Sequence, residues 1–414
     1  MSGERPLRFA MVTTFYPPYH FGGDAMYIYR LSHALAARGH QVDVLHDVDA
    51  YRLARSQPPA HTFADHPRVR VFPMKSAAGF LSPLATQQTG YPLFKPLVRG
   101  RLTSGEYDVI HYHNMSLIGS AALGYGEAVK LYTTHEHWLI CPMHVLWKFD
   151  REPCETPSCL ACCLRGRRPP QLWRYTGRLA RDLRHVDRLL SPSRFTRTRH
   201  EQAGVQRPIS VLPYFVPAPP AGEETSPHPR PYFLFVGRLV ALKGVEALIN
   251  AFRGYTGADL LIAGEGEEKQ RLEALAADTP NVVFLGARDQ RGLATLYRHA
   301  EALVMPSIGF EVFGIVLIEA FAHRTPVIVR DLGGMPEAVQ DSGGGFTFRT
   351  DAELLAAMRA LQASPERRRE MGDKGHAAWI RLWSEAPHVD AYLSIVDEEQ
   401  QRRPARGGAG KAPA

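Results

Sequence analysis

Short apolar runs alternate with stretches of helical periodicity along most of the chain. LRFAMVT is an apolar run of strand length, TFYPPYHFGG is a loop rich in proline and glycine, and DAMYIYRLSHALAARG has helical spacing that stops at Gly39. HQVDVLH, YDVIHYHN and AVKLYTTHEH are again apolar, the last two with polar residues at their C-terminal ends. Strands alternating with helices predict a parallel sheet wrapped by helices. The proline-rich stretch from Pro213 to Pro231 interrupts the series and reads as a flexible linker. The alternation then resumes in YFLFVG, GVEALINAF, ADLLIAG, EEKQRLEALAA, NVVFLG, RGLATLYRHA, EALVMPS and PVIV. The expected organisation is a doubly wound α/β domain over 1–212, a linker over 213–231 and a second α/β domain over 232–385. A closing helix over 386–400 and a disordered tail over 401–414 complete it. Two such domains face each other across a cleft.

One apolar segment carries an anomaly. Ser307 to Phe321, SIGFEVFGIVLIEAF, contains ten apolar residues and two charges, Glu311 and Glu319, and there is no other formal charge from Ala302 to Ala322. An ionised carboxylate in apolar surroundings is costly without a partner. The two acids therefore face water, cations from elsewhere in the chain, or a ligand that supplies the partners.

Composition narrows the class. At 414 residues, with 45% hydrophobic and 22% charged positions, the chain is expected to be a soluble globular protein of at least two domains. No run of 18 apolar residues is present, so no membrane span is expected. The apolar core of MSGERPLRFAMVTTFYPP is too short for a secretion signal, which points to a cytoplasmic, reducing compartment and to thiols rather than disulfides. The net charge of +7, from 49 basic and 42 acidic residues, is unevenly placed. Between Arg165 and Arg207 there are twelve arginines and three acids. Read as one helix, LWRYTGRLARDLRHVDRLL puts Leu172, Leu179, Leu183, Val186 and Leu190 on one face, with Arg174, Arg178, Arg181, His185 and Arg188 nearly opposite. Such a basic face is either solvated or meets an anionic membrane surface or acceptor, from a place at the inner face of the plasma membrane. Basic and aromatic residues are not interleaved as nucleic-acid binding requires, so nucleic acid is not an expected partner.

In doubly wound sheets ligands bind beyond the C-terminal ends of strands. Three loops of the second domain lie there. In VGRLVALKG, Gly237 permits the turn, and Arg238 and Lys243 set two cations that suit a diphosphate. IAGEGEE is a weaker, glycine-rich candidate. In EVFGIVLIE, Gly314 falls where a helix begins, and bare amides there attract an anion.

Together these loops resemble the retaining glycosyltransferases of family 4 (glycosyl transferases group 1), sugar-nucleotide-dependent enzymes of the GT-B fold. GRLVALKG resembles the family's Gly-Arg-Leu and Lys-Gly pair, EVFGIVLIE its Glu-x7-Glu motif, and PVIVRDLGGMPEAV the segment that follows. The resemblance runs from YPPYHFGGD to the closing helices. It implies that Glu319 binds the nucleotide ribose, that Glu311 contacts the donor-sugar hydroxyls, and that the amides of Phe313 and Gly314 meet the sugar or phosphate. Arg238 and Lys243 would hold the diphosphate and stabilise it as it leaves, without a metal ion. In the first domain, Gly22 and Gly23 of GGD resemble the loop that approaches the donor diphosphate. TTHEHWLICP resembles the segment whose histidine, here His135 with Glu136 beside it, lies near the donor sugar. His111 and His113 either shape the acceptor cleft or pack. One departure is Arg324 in AHRTPV, where the family usually has glycine.

Cys141, Cys154, Cys159 and Cys162, with Cys163 adjacent, form a Cys-x12-Cys-x4-Cys-x2-Cys series that is either a structural zinc site or a set of packed or free thiols. The function expected is transfer of a sugar from a nucleotide diphosphate, UDP or GDP, to a glycan or lipid-linked saccharide in envelope or exopolysaccharide synthesis. The rivals are a sugar-nucleotide epimerase or hydrolase of the same fold and a non-catalytic sugar-nucleotide-binding partner subunit. A nicotinamide dehydrogenase is disfavoured, because the first strand leads into TTFYPPYHFGG and not a G-x-G-x-x-G turn.

Overall fold

A computed structural model describes residues 5–55, 59, 62–220 and 223–403. In chain order the strands are β1 (Arg8–Thr13), β2 (Gln41–Asp47), β3 (Val69–Met74), β4 (Val109–Tyr112), β5 (Val129–Thr133), the short pair β6 (Trp147–Lys148) and β7 (Glu152–Pro153), β8 (Arg188–Ser191) and β9 (Ile209–Val211). The second half adds β10 (Tyr232–Val236), β11 (Asp259–Ala263), β12 (Val282–Gly286), β13 (Ala302–Met305), β14 (Val327–Arg330) and β15 (Gly345–Phe348). They form two main sheets, β3-β2-β1-β4-β5-β8-β9 and β12-β11-β10-β13-β14-β15, in which neighbours pair in parallel. β6 and β7 make a separate antiparallel hairpin. Both faces of a parallel sheet are covered by helices, which is why β10 reads YFLFV and is buried along its whole length. Two parallel α/β domains are present, as the alternating pattern predicts. Among the described residues no helix is long and apolar enough to cross a membrane.

Two expectations change. The basic helix predicted across Arg174–Arg188 is not one element. A 3-10 turn, Leu172–Thr176, ends at Gly177 in the left-handed region (φ 69), helix Arg178–Leu183 follows, and Arg188 already belongs to β8. Leu172 is exposed rather than in the core. Arg174 lies over the Trp138 ring and donates to the Trp138 carbonyl at 2.6 Å. Arg178 is 3.3 Å from Asp182, and Arg188 bridges Glu398 and Glu399 at 2.9 and 2.7 Å. Three arginines assigned to a basic face for an anionic surface are thus used internally.

The linker differs as well. Tyr214, Phe215 and Val216 are buried in the core shared by the two domains, so the start of that stretch is anchored. The closing helix runs Glu385–Arg402 and returns to the first domain. It buries His388, Val389, Tyr392 and Val396, and Tyr27 and His388 meet at 3.0 Å. The tail beyond Arg403 lies outside the described residues.

Candidate active site

The cation loop leaves β10 at its C-terminal end. Arg238 is exposed at its mouth. The 3-10 turn Ala241–Lys243 carries Lys243 back toward the loop after β13, where its Nζ lies 2.7 Å from Glu311 Oε1. The Ser307 hydroxyl donates to the same oxygen at 3.0 Å. Burial pushes the Glu311 carboxyl up, but the Lys243 ammonium, the Ser307 hydroxyl and the field of Arg238 outweigh it and hold the group below its usual range. Glu311 and Lys243 keep 21% and 19% of their side chains exposed, so a ligand can still reach the pair. IAGEGEE supports this loop from behind. A Cβ at Gly264 would fall 1.9 Å from the Gly237 carbonyl oxygen, and one at Gly266 2.2 Å from that of Leu239. Those glycines permit close backbone packing.

Gly314 (φ 99) begins helix Ile315–Ala322 with no side-chain cap on the first-turn amides. Helix ends of this kind attract anions. Glu319 lies further along the same helix, 3.3 Å from Arg30 Nη2, and accepts from the Tyr297 hydroxyl at 3.2 Å. Arg30 belongs to helix Gly23–Ala37 of the other domain; its side chain is 12% exposed, and its Nε is buried without a hydrogen-bond partner. The two carboxylates of the apolar segment are therefore paired, one by Lys243 and one by Arg30. Sequence reasoning missed Arg30 and Tyr297. The first stands 289 positions from Glu319, and neither lies in a motif that marks it.

The first domain contributes the glycine loop and a chain of histidines. A Cβ on Gly23 would meet Ile315 Cδ1 at 2.9 Å, so the loop is pressed against the helix start across the cleft. His135 Nδ1 lies 2.8 Å from the Tyr214 hydroxyl, its Nε2 lies 2.9 Å from His113 Nδ1, and His113 Nε2 lies 3.5 Å from Met11 Sδ. A thioether sulfur only accepts, so His113 carries its proton on Nε2. His135 then donates from Nε2, and its Nδ1 accepts from Tyr214. Burial lowers His135 to about 4, with the Asp24 carboxylate working weakly the other way, so the ring is neutral at neutral pH. Tyr214 in turn meets the Phe313 ring edge-on at 5.7 Å, which links His135 to the second domain. His111 is fully buried between Thr133 (2.8 Å) and Tyr392 of the closing helix (3.1 Å), a packing role.

Further contacts close the cleft around EVFG. The Ser193 and Thr196 hydroxyls donate to the Val312 carbonyl at 2.5 and 3.2 Å, and the Arg194 amide donates to Glu337 at 2.8 Å. Arg324 does not join the site. It has φ 60 at the far end of helix Ile315–Ala322, and its guanidinium pairs with Asp373. Among the described residues no group of three or more His, Cys, Asp or Glu side chains is placed to hold a metal ion directly.

Comparison with known proteins agrees with this architecture. The family profile of Glycosyltransferase Family 4 matches residues 21–218, and that of Glycosyl transferases group 1 matches 221–378. An uncharacterized glycosyltransferase of Methanocaldococcus jannaschii is 41% identical over 119 residues, which is 27% of this chain and only 30% of that protein's length. A phosphatidyl-myo-inositol mannosyltransferase of Mycobacterium leprae is 28% identical over 83% of this chain and 85% of its own. The solved structure of Anabaena HepE in complex with UDP-glucose superposes with a TM-score of 0.67 at 17% identity, covering 95% of this chain and all of that one. With both halves matched and the two-domain fold shared, the chain belongs to the family 4, group 1 glycosyltransferases and has the GT-B fold.

Proposed function

We propose that this glycosyltransferase is a retaining, metal-independent hexosyltransferase. It moves a sugar from UDP or GDP to a glycan or lipid-linked saccharide in envelope or exopolysaccharide synthesis. The observation that carries the reading is the Lys243–Glu311 pair beside Arg238, next to the uncapped start of helix Ile315–Ala322. Breaking the bond between sugar and phosphate builds negative charge on the diphosphate. Arg238, Lys243 and the helix amides at Phe313–Gly314 meet that charge as it develops. Glu311 binds donor-sugar hydroxyls and Glu319 the ribose hydroxyls. Gly237 shapes the phosphate loop, Gly22 and Gly23 let the diphosphate approach, and neutral His135 lines the sugar side. The UDP-glucose held by the HepE structure supports a nucleotide-sugar donor. Thermal denaturation of the purified chain against UDP-, GDP-, ADP- and TDP-sugars tests the reading. One UDP- or GDP-sugar is expected to raise the melting temperature in a concentration-dependent way. A flat response to all of them contradicts it.

A further inference from the structure

The loop between β5 and β8 carries a small unit whose chemistry the transfer reading does not use. Cys141, Cys154, Cys159 and Cys162 line a single small cavity, whose remaining wall includes Pro142, Met143 and Trp147. All are free thiols; Cys141 and Cys162 are buried, and the other two are half-buried. They arrive from separate places: a turn at Cys141, the end of hairpin β6–β7 at Cys154, and the first turn of helix Cys159–Arg165 for the Cys-x2-Cys pair. That is the ligand layout of a closed four-cysteine zinc site, with two ligands on a short helix and two on loops.

Backbone amides face two of the sulfurs. The amides of Met143, His144 and Leu146 point at Cys141 Sγ, and the Phe149 amide donates to Cys162 Sγ at 3.5 Å. Several N–H dipoles converging on a sulfur stabilise a thiolate. To form these turns, His144, Leu146, Phe149 and Asp150 all take positive φ, at 74, 48, 56 and 56°. Non-glycine residues are strained in that region. Leu146 and Trp147 are buried but belong to neither main core, and Val145, Leu160 and Leu164 are exposed, so the apolar packing that opposes the strain is local and small. A unit this size needs a staple.

We propose that Cys141, Cys154, Cys159 and Cys162 bind one structural zinc ion. The sulfurs line one cavity but do not meet at one point in this structure, so a metal ion would have to draw them together. Zinc replaces four thiol protons, which pass to solvent, and leaves a doubly negative tetrathiolate. Lys148 on the cavity wall and the nearby Arg174 guanidinium offset that charge. The unit is tied to the candidate active site beside His135 by His144 Nδ1 to Glu136 Oε2 at 2.8 Å, by the His137 amide donating to the His144 carbonyl at 2.9 Å, and by the Cys141 amide donating to the His137 carbonyl at 2.7 Å. The metal's role is to hold those connections.

Elemental analysis of the full chain, purified with reductant and without chelator, tests this independently of any donor or acceptor. One zinc per chain is expected, released when a mercurial reagent titrates the thiols. Cobalt exchanged into the wild type should give the visible bands of a tetrahedral thiolate centre. Cys159→Ser with Cys162→Ser should abolish the zinc and speed amide exchange over residues 141–163, whereas Cys163→Ser should keep it. Zinc near zero with all five thiols titrating freely overturns the proposal. So does a mass two hydrogens lower, which marks a disulfide, or full zinc retention in the double variant. The cobalt spectrum decides the matter even if the double variant fails to fold.

Discussion

Glu319 and Lys243 each hold a partner within the protein and, on the proposed reading, give that interaction over to the donor. For Glu319 the exchange replaces Arg30 and Tyr297 with two ribose hydroxyls. Charge-assisted hydrogen bonds of this type contribute about 1.5–3 kcal/mol, so Glu319→Gln should raise the donor KM about ten- to a hundredfold. An unchanged KM removes the ribose assignment. Lys243→Ala should lower kcat by about a hundred- to a thousandfold, the range for losing one preorganised charge at a developing anion. The same change strips Glu311 of its nearest cation, so the melting temperature must be followed alongside. A kcat that stays at the wild-type value contradicts the leaving-group role. Glu311, Glu319, Arg238 and Lys243 were legible in the sequence because each lies in a short local motif. Arg30, Tyr297 and Tyr214 were not, and for His113 the contact with His135 was not, because folding alone brings them to the residues they hold.

At the scale of elements, Arg324 shows what one backbone position costs. Its φ of 60 follows a helix end where glycine would be free of Cβ strain, and its ion pair with Asp373 is exposed on both sides. Strain of about 1–2 kcal/mol set against a surface pair of about 0–1 kcal/mol predicts that Arg324→Gly stabilises the fold by roughly 0.5–1 kcal/mol. Urea denaturation with turnover measured in parallel checks this, and a loss of stability means the pair outweighs the strain. Strands were legible wherever both faces are buried, as in β1, β10 and β11, since the apolar run is then continuous. The segment 172–190 was misread because its leucines and arginines keep helical spacing across a real break. Gly177 was the signal, since a glycine inside a helical pattern marks a candidate end. β8 was lost inside the same false helix, because RLLS is too short to show a period of its own.

The whole molecule is two sheets locked across a cleft, with the closing helix returning to the first domain. Several histidines are buried in that assembly. Burial lowers His46 and His135 to about 4, and His137 and His388 to about 3, from an ordinary 6.5. Between the folded and unfolded values the unfolded chain binds more protons, so stability rises with pH there. It is fully present above about 6.5 and is lost as the pH falls toward 4, at up to about 1.4 kcal/mol per pH unit for each ring. The melting temperature should therefore fall steeply below about pH 6, and a flat profile down to about pH 4.5 means that these rings are not held neutral. The pairing of two domains was readable from the repeated strand–helix pattern. Their closed contact was not, since Gly23 against Ile315 and Arg30 against Glu319 join residues far apart in the chain. The central claim is that this closed cleft transfers a sugar with retention and without a metal ion. Proton NMR of the product's anomeric carbon, formed in excess chelator from whichever donor stabilises the protein, tests it most directly. The coupling constant is expected to match the donor's anomeric configuration; inversion, release of free sugar without transfer, or loss of turnover in chelator contradicts the account.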